Sequence, residues 1–595
     1  MTVRRDDTLR AGSYSLHYFS TDGGTMKGGA LTCGIGLLVA MLVGGIQVIA
    51  QAQARPATVR QTAYLKASNT HGGDHFGNGG TLLGDSVAIS ADGSTLAVGA
   101  PDESSKASGI NGNQNDTSLF GSGAVYLFTR NGSNWVQQAY VKASNPRMSA
   151  SFGHVVALSA DGNTMAVSAY FEPSNAKGVN GNQNDTSIPQ AGAVYVFTRM
   201  AGRWTQQAYL KASNTGKPAA GDSFAEGDQF GFSLTISDDG NTIAVGANAE
   251  DSNASGINGN QEDDSAETSG AVYVFARTGT TWTQQAYMKA SNNLPAPPRG
   301  RGRGAAAAPP TSGPPPGGGV FFPMQFGYAV SLSADGNTLA VGAFDEGGAS
   351  REINGSQAFG RGGSGAIYVF TRSGATWTQQ AYIKASNAEA QDSIGAAVAL
   401  SDDGNTLLAG SIDEDCLATG VNPPETNTTC ASDADKDTSA GAAYLFRRSG
   451  TTWTQEAFIK PSNTGADDWF GSRLTISGDG NTLAVPAQLE DSDAKGIDGD
   501  QNNDRAMESG AVYLFRRVAG QWKQIAYVKG SNTDAFDEFG SSVALNRDGT
   551  ILAVGARAED SAAKGLNGNQ KDNSADESGA VYVFSLAPVT ANASR

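Results

Sequence analysis

Short apolar runs, separated by turns rich in Gly, Asp and Asn, recur along almost the whole chain. TLAVGA (Thr95 to Ala100) and GAVYLF (Gly123 to Phe128) are apolar at alternate and at intervening positions alike. A strand apolar on both faces is buried on both. SVAIS (Ser86 to Ser90) precedes them and WVQQAYVKAS (Trp135 to Ser144) follows. The last run mixes Trp, Gln, Tyr and Lys, as an outer edge strand does, and its Lys is expected to discourage edge-to-edge pairing. These four predicted strands are labelled A, B, C and D in chain order.

The four-strand unit repeats. AYLKASN at Ala63 to Asn69 returns as AYVKASN, AYLKASN, AYMKASN, AYIKASN, AFIKPSN and AYVKGSN, ending at Asn532. The spacing, roughly 70 to 95 residues, marks a repeat architecture. Asp-Gly joins A to B in every unit, from Asp92-Gly93 to Asp548-Gly549. That dipeptide between apolar runs signals a hairpin, because the turn needs positive φ. The pattern predicts an all-β fold, a seven-bladed β-propeller. The chain opens on a lone D-like strand (Thr58 to Ser68) and ends after a strand C (Gly579 to Leu586). The N-terminal strand is therefore expected to close the last blade and remove the open sheet edges.

Outside the repeats, residues 1–54 hold an apolar run from Leu31 to Ile49, followed by Ala52-Gln53-Ala54. This is the pattern of an h-region with an A-x-A cleavage site. The segment reads as a signal peptide, or as an N-terminal membrane anchor, since the run nearly spans a bilayer. Met26-Lys27 would begin a more ordinary signal peptide. The propeller is expected over 55–588, with a tail at 589–595. Within it, the Pro-, Gly- and Ala-rich stretch 293–325 is expected to be a disordered insertion at the fourth blade. The protein is expected to be secreted, periplasmic or at the cell surface, with membrane contact only through an uncleaved N-terminal segment.

Acidic residues outnumber basic ones by 58 to 41, a formal net charge of −17. That balance disfavours nucleic acid as a partner and suits cations or basic partners. Of three cysteines, Cys33 lies in the N-terminal segment, and Cys416 and Cys430 share one loop. Export makes a disulfide between that pair the expectation.

Each unit also carries a Phe-Gly element, at Phe76-Gly77, Phe152-Gly153, Phe230-Gly231, Phe326-Gly327, Phe470-Gly471 and Phe539-Gly540. The fifth departs, with Ile394-Gly395. Gly99-Ala100-Pro101 follows strand B literally once and is relaxed elsewhere, as in Gly246-Ala247-Asn248 or Gly555-Ala556-Arg557. Over residues 58 to 586 or so, the units resemble the FG-GAP repeat, the blade unit of integrin α-subunits and of many secreted bacterial proteins. The resemblance implies a propeller whose B–C and D–A connections share one face, the face that contacts ligand in integrin α-subunits. Several integrin blades also bind Ca²⁺ in the A–B hairpin through closely spaced aspartates. Here that hairpin reads SADGNT, usually with one carboxylate. Ca²⁺ takes about six to eight oxygens, so that site is not carried over.

Carboxylates cluster instead in the B–C connections, as in AEDSNASGINGNQEDDSAETSG of the third unit. Two readings stand. Asn-Gly and Asp can form turns bonded to nearby backbone, with Ile257 or Leu566 tucked beneath. Alternatively, Glu250 and Asp251, Glu490 and Asp491, and Glu559 and Asp560 join Asn oxygens to bind Ca²⁺. The fourth such loop reads as degraded, and the fifth as replaced by the Cys416–Cys430 loop. His71, Asp74 and His75 offer a second set of metal ligands in a Gly-rich loop. Trp residues such as Trp204 read as blade packing. No nucleophile motif stands on a strand–helix turn. The expectation is an exported, non-catalytic protein that binds a protein or glycan ligand, with adhesion suggested by the integrin analogy. The alternatives are an enzyme acting on polysaccharide at the propeller face and a purely structural surface or matrix protein.

Overall fold

Seven antiparallel sheets of four strands each make up the computed structural model, which describes residues 59–78, 84–216, 227–293, 324–423 and 438–587. The N-terminal segment, residues 294–323 of the insertion, Cys430 and the tail 589–595 lie outside the described residues. Blade one consists of A (Val87–Ile89), B (Thr95–Ala100), C (Ala124–Asn131) and D (Asn134–Val141). Blades two to six repeat this order over 156–210, 233–288, 326–383, 394–459 and 475–528. Blade seven takes A, B and C from Phe539–Leu545, Ile551–Ala556 and Ala580–Leu586, and D from Val59–Leu65. Val59 lies opposite Leu586 and Leu65 opposite Val581, so the first strand closes the last blade as the strand inventory expects.

Strands B and C are buried throughout their apolar runs. The core is a set of layers between neighbouring blades. Val125, Leu127 and Val141 of blade one, for example, pack against Val156, Met165, Val167 and Phe197 of blade two. The A strands of consecutive blades touch all the way around the ring. At their hairpin end, backbone bonds form a closed belt. Ala91 N–H donates to the Ala160 carbonyl (2.9 Å), Ala160 to Asp238, Asp238 to Ala334, Ala334 to Asp402, Asp402 to Gly478, and Gly478 to Arg547. Arg547 N–H donates back to Ala91 (3.2 Å). Seven donors and seven acceptors near the axis thus satisfy one another.

The Phe-Gly and Gly-Ala elements work as one joint. Gly153, at φ +99°, donates its N–H to Ser168 of its own strand B (2.9 Å). Its carbonyl faces Gly99 of the preceding blade, so closely that a Cβ on Gly99 would overlap that oxygen. Glycine is needed there for close backbone approach. A bulge in strand D makes the second joint. Leu127 pairs with Ala139 and Phe128 with Gln137, leaving Gln138 unpaired and aimed at the next blade. Gln138 accepts the Trp204 Nε1–H (3.0 Å), and the Arg199 guanidinium covers that indole at 5.3 Å. Trp282, Trp377, Trp453 and Trp522 repeat the bond to the blade before them. The tryptophans pack blades together, as expected.

Candidate functional site

The lysine of AYLKASN does not guard an edge; it is buried. Lys142 has no exposed surface, and its Nζ lies 2.7 Å from Glu103 Oε2 in the B–C connection of the same blade. Glu103 also accepts Tyr140 Oη (2.9 Å), the Ser105 N–H (3.1 Å) and Asn69 Nδ2 (3.0 Å). Asn69 belongs to the motif copy of the preceding blade, and its Oδ1 accepts the Tyr126 hydroxyl. Lys and Tyr of the motif thus bind the glutamate of their own blade, and Asn binds that of the next. Every blade has its Lys–Glu pair and every blade-to-blade step has its Asn–Glu bond. A charge this deeply buried is tolerated only when paired and fully hydrogen-bonded.

This network engages the carboxylates of the calcium reading in other bonds. Glu250, Glu490 and Glu559 hold Lys289, Lys529 and Lys66 at 2.6, 2.8 and 2.8 Å, and are at most 2 % exposed. A carboxylate neutralised by an ammonium ion has little to offer a cation. Asp251, Asp491 and Asp560 accept the backbone N–H of Thr268, Glu508 and Glu577 (2.7, 2.7 and 2.8 Å), each in left-handed conformation. Among the described residues, no three His, Cys, Asp or Glu side chains are gathered to hold a metal. Of His71, Asp74 and His75, the first two stay together, with Nδ1 and Oδ2 at 3.7 Å, while His75 turns to other partners. Asp74 accepts the His71 backbone N–H (2.9 Å). His75 sits between Asp102 of blade one (Nδ1, 2.7 Å) and Glu577 of blade seven (Nε2, 3.0 Å). Burial disfavours its imidazolium, but the bond and charge of Asp102 outweigh that and hold its pKa above the ordinary value.

The Asn-Gly turns guard the outer edge. Asn111, in left-handed conformation, donates its N–H to the Tyr140 carbonyl (2.7 Å), and its Oδ1 accepts the Tyr140 N–H (2.9 Å). Ile110 bridges to Val141, and Ile257 and Leu566 do the same in their blades. The fourth and fifth loops, which looked degraded and replaced, keep this clasp through Asn354 on Tyr382 and Asn422 on Phe458. Cys416 is buried at the position that carries Ser105, bonded to Tyr140, in blade one. In blade five that tyrosine is Phe458, so hydroxyl donor and partner are lost together.

With the joints and clasps assigned, what remains are positions where the blades differ. Those following the Phe-Gly and Gly-Ala elements meet at the axis on the B–C and D–A face. Blades two to four place aromatic rings there. His154 and Tyr170 centroids lie 4.0 Å apart, Phe232 and Tyr328 5.0 Å, and Tyr328 stacks on Phe344 at 4.6 Å. Blade six contributes Arg473, blade one Asp85, with Nε and Oδ1 at 3.6 Å. A cavity of about 30 Å³ lies among Asp85, Phe232, Tyr328 and Arg473. Nearby, burial pushes Asp345 up to about 6, against a bond from Gln325 and with the charge of Asp413 adding.

The FG-GAP repeat family matches residues 453–515 and 522–584, which span strand D of blade five to strand C of blade seven. The same joints recur in the blades before them. This chain is an FG-GAP repeat propeller. No curated protein matches the chain. Among solved structures, a Bacteroides uniformis protein described as a candidate 6-phosphogluconolactonase is similar over 75 % of this chain and 85 % of its own. The identity is 12 % and the TM-score 0.36, a likeness that carries no argument. In this FG-GAP propeller, the axial mouth joins aromatic surface, one buried guanidinium and several acids. Such a set can hold a ligand by stacking and charge. Sequence reading missed it because matching positions in five blades carry unlike residues there; the signal was their failure to repeat.

Proposed function

We propose that this FG-GAP propeller is an exported, non-catalytic binding protein, engaging a macromolecular ligand on the face of the B–C and D–A connections in adhesion or surface recognition. The observation that carries this is apolar surface on an otherwise polar rim. Phe120 and Met148 are 65 % and 64 % exposed, and Met507 and Phe536 are 57 % and 53 % exposed. Phe120 and Met507 hold the same place in blades one and six, where Ser149 N–H, next to Met148, bonds the Phe120 carbonyl and Phe536 N–H the Met507 carbonyl. Exposed apolar groups ringed by polar ones suit a protein ligand.

A pull-down with the purified protein tests it. Replacing Phe120, Met148, Met507 and Phe536 with Ser should abolish capture of a surface protein that the wild-type chain retains, with melting temperature unchanged. An identical captured set from both proteins would overturn the proposal.

A further inference from the structure

We propose that the axial mouth is a carboxylate socket built on Arg473, which takes an acidic side chain of the ligand. This deepens the reading of the loop face given above. Arg473 is 4 % exposed and lines the axial cavity. Its Nε has no hydrogen-bond partner, and its Nη1 donates to the Ser472 carbonyl (3.0 Å). Its nearest counter-charge, Asp85, stands at 3.6 Å, beyond hydrogen-bond reach. The Asp85 side chain is also 61 % exposed, so water weakens its hold on the guanidinium. Burial pulls the Arg473 pKa below its ordinary value, with Asp85 the chief opposing charge.

A buried guanidinium lacking a matched partner is costly to the fold. It is also prepared to bind. Val155, Leu234, Val330, Val398 and Leu474 form apolar walls, where low dielectric strengthens a charge-assisted bond. The space, about 30 Å³, equals roughly two or three water sites, enough for a carboxylate group and too little for a sugar ring. An apolar wall around a small polar end fits a carboxylate on a short aliphatic stem, as Asp and Glu present it. The net charge of −17 repels anions from the surface at large, so anion binding here must be local.

Titration calorimetry of the full chain with propionate, against propionamide at matched ionic strength, tests the socket without any partner. Propionate should bind and propionamide should not. Arg473→Lys, which keeps the charge and loses the planar fork, should weaken propionate about tenfold. Asp85→Asn removes the competing carboxylate from an exposed position and should tighten propionate about threefold or more. Equal heats for propionate and propionamide, or a propionate affinity unchanged in Asp85→Asn, would overturn the socket. Either result leaves the apolar rim and its pull-down standing, so the two proposals fail separately.

Discussion

Lys66 Nζ lies 2.8 Å from Glu559 Oε2, joining the first strand of the propeller to the last B–C loop across 493 residues of chain. Neither side chain has more than 2 % of its surface exposed. The same pair recurs within each of the other blades, but here it also fastens the ring closure.

Removing one partner leaves a buried charge alone, which costs about 3–5 kcal/mol. Glu559→Gln should therefore lower stability by that amount and free the Val59–Leu65 strand first. Urea unfolding, with proteolysis near Val59, measures both effects. Replacing Lys66 and Glu559 together by Met and Leu should be milder than the single change.

Stability should fall as pH rises from about 4 to about 8. Asp74, Asp392, Asp468 and Asp537 are buried, each accepting a backbone N–H three residues upstream. Burial pushes Asp74 and Asp468 up to about 7, and Asp392 and Asp537 up to about 8, from an ordinary 3.8. Groups protonated in the fold and ionised when unfolded contribute fully below the unfolded pKa and lose that contribution as pH passes the folded one. The hairpin aspartates act oppositely. In Asp92, burial is outweighed by hydrogen bonds from Ser90 and Ser94, which hold the pKa low, so its contribution is lost in strong acid. Melting temperature should peak on the acidic side of neutrality, and Asp537→Asn should flatten the decline toward pH 8. A melting temperature that climbs from pH 5 to 8 would contradict this.

Calcium at millimolar concentration should shift the melting temperature no more than sodium chloride of equal ionic strength. Glu250, Glu490 and Glu559 are committed to lysines, and Asp251, Asp491 and Asp560 to backbone N–H groups. Calorimetry on wild type and on Asp251→Asn reads the outcome, with no specific heat expected from either.

Cys416 is buried in the loop that departs most from the repeat. A bridge to Cys430 would close a short loop and stabilise the fold by about 3 kcal/mol in the chain-entropy model. Protein from an oxidising compartment should show neither thiol to a labelling reagent, and reduction should lower the melting temperature.

The architecture was legible along the chain. TLAVGA and GAVYLF, apolar on both faces, together with Asp-Gly between A and B, dictate stacked sheets, and a lone D strand at the start with an A-B-C set at the end dictates closure. These are local signals, and each unit repeats them, so one inference served seven times. What the charges do depends on contacts between residues far apart in the chain. Lys142 and Glu103 stand 39 residues apart, and Asn69 reaches Glu103 from another blade. Along the chain, Lys142 reads as an edge guard and each Glu-Asp pair as exposed acid. Folding buries the lysine and the glutamate together and leaves Asn111 to guard the edge. The axial mouth lay hidden for a similar reason. Asp85, His154, Phe232 and Tyr328 hold one repeat position, with Arg473 at the next, and ring closure brings these unlike residues of separate blades to one axis. A repeat analysis averages away the very positions at which the copies differ.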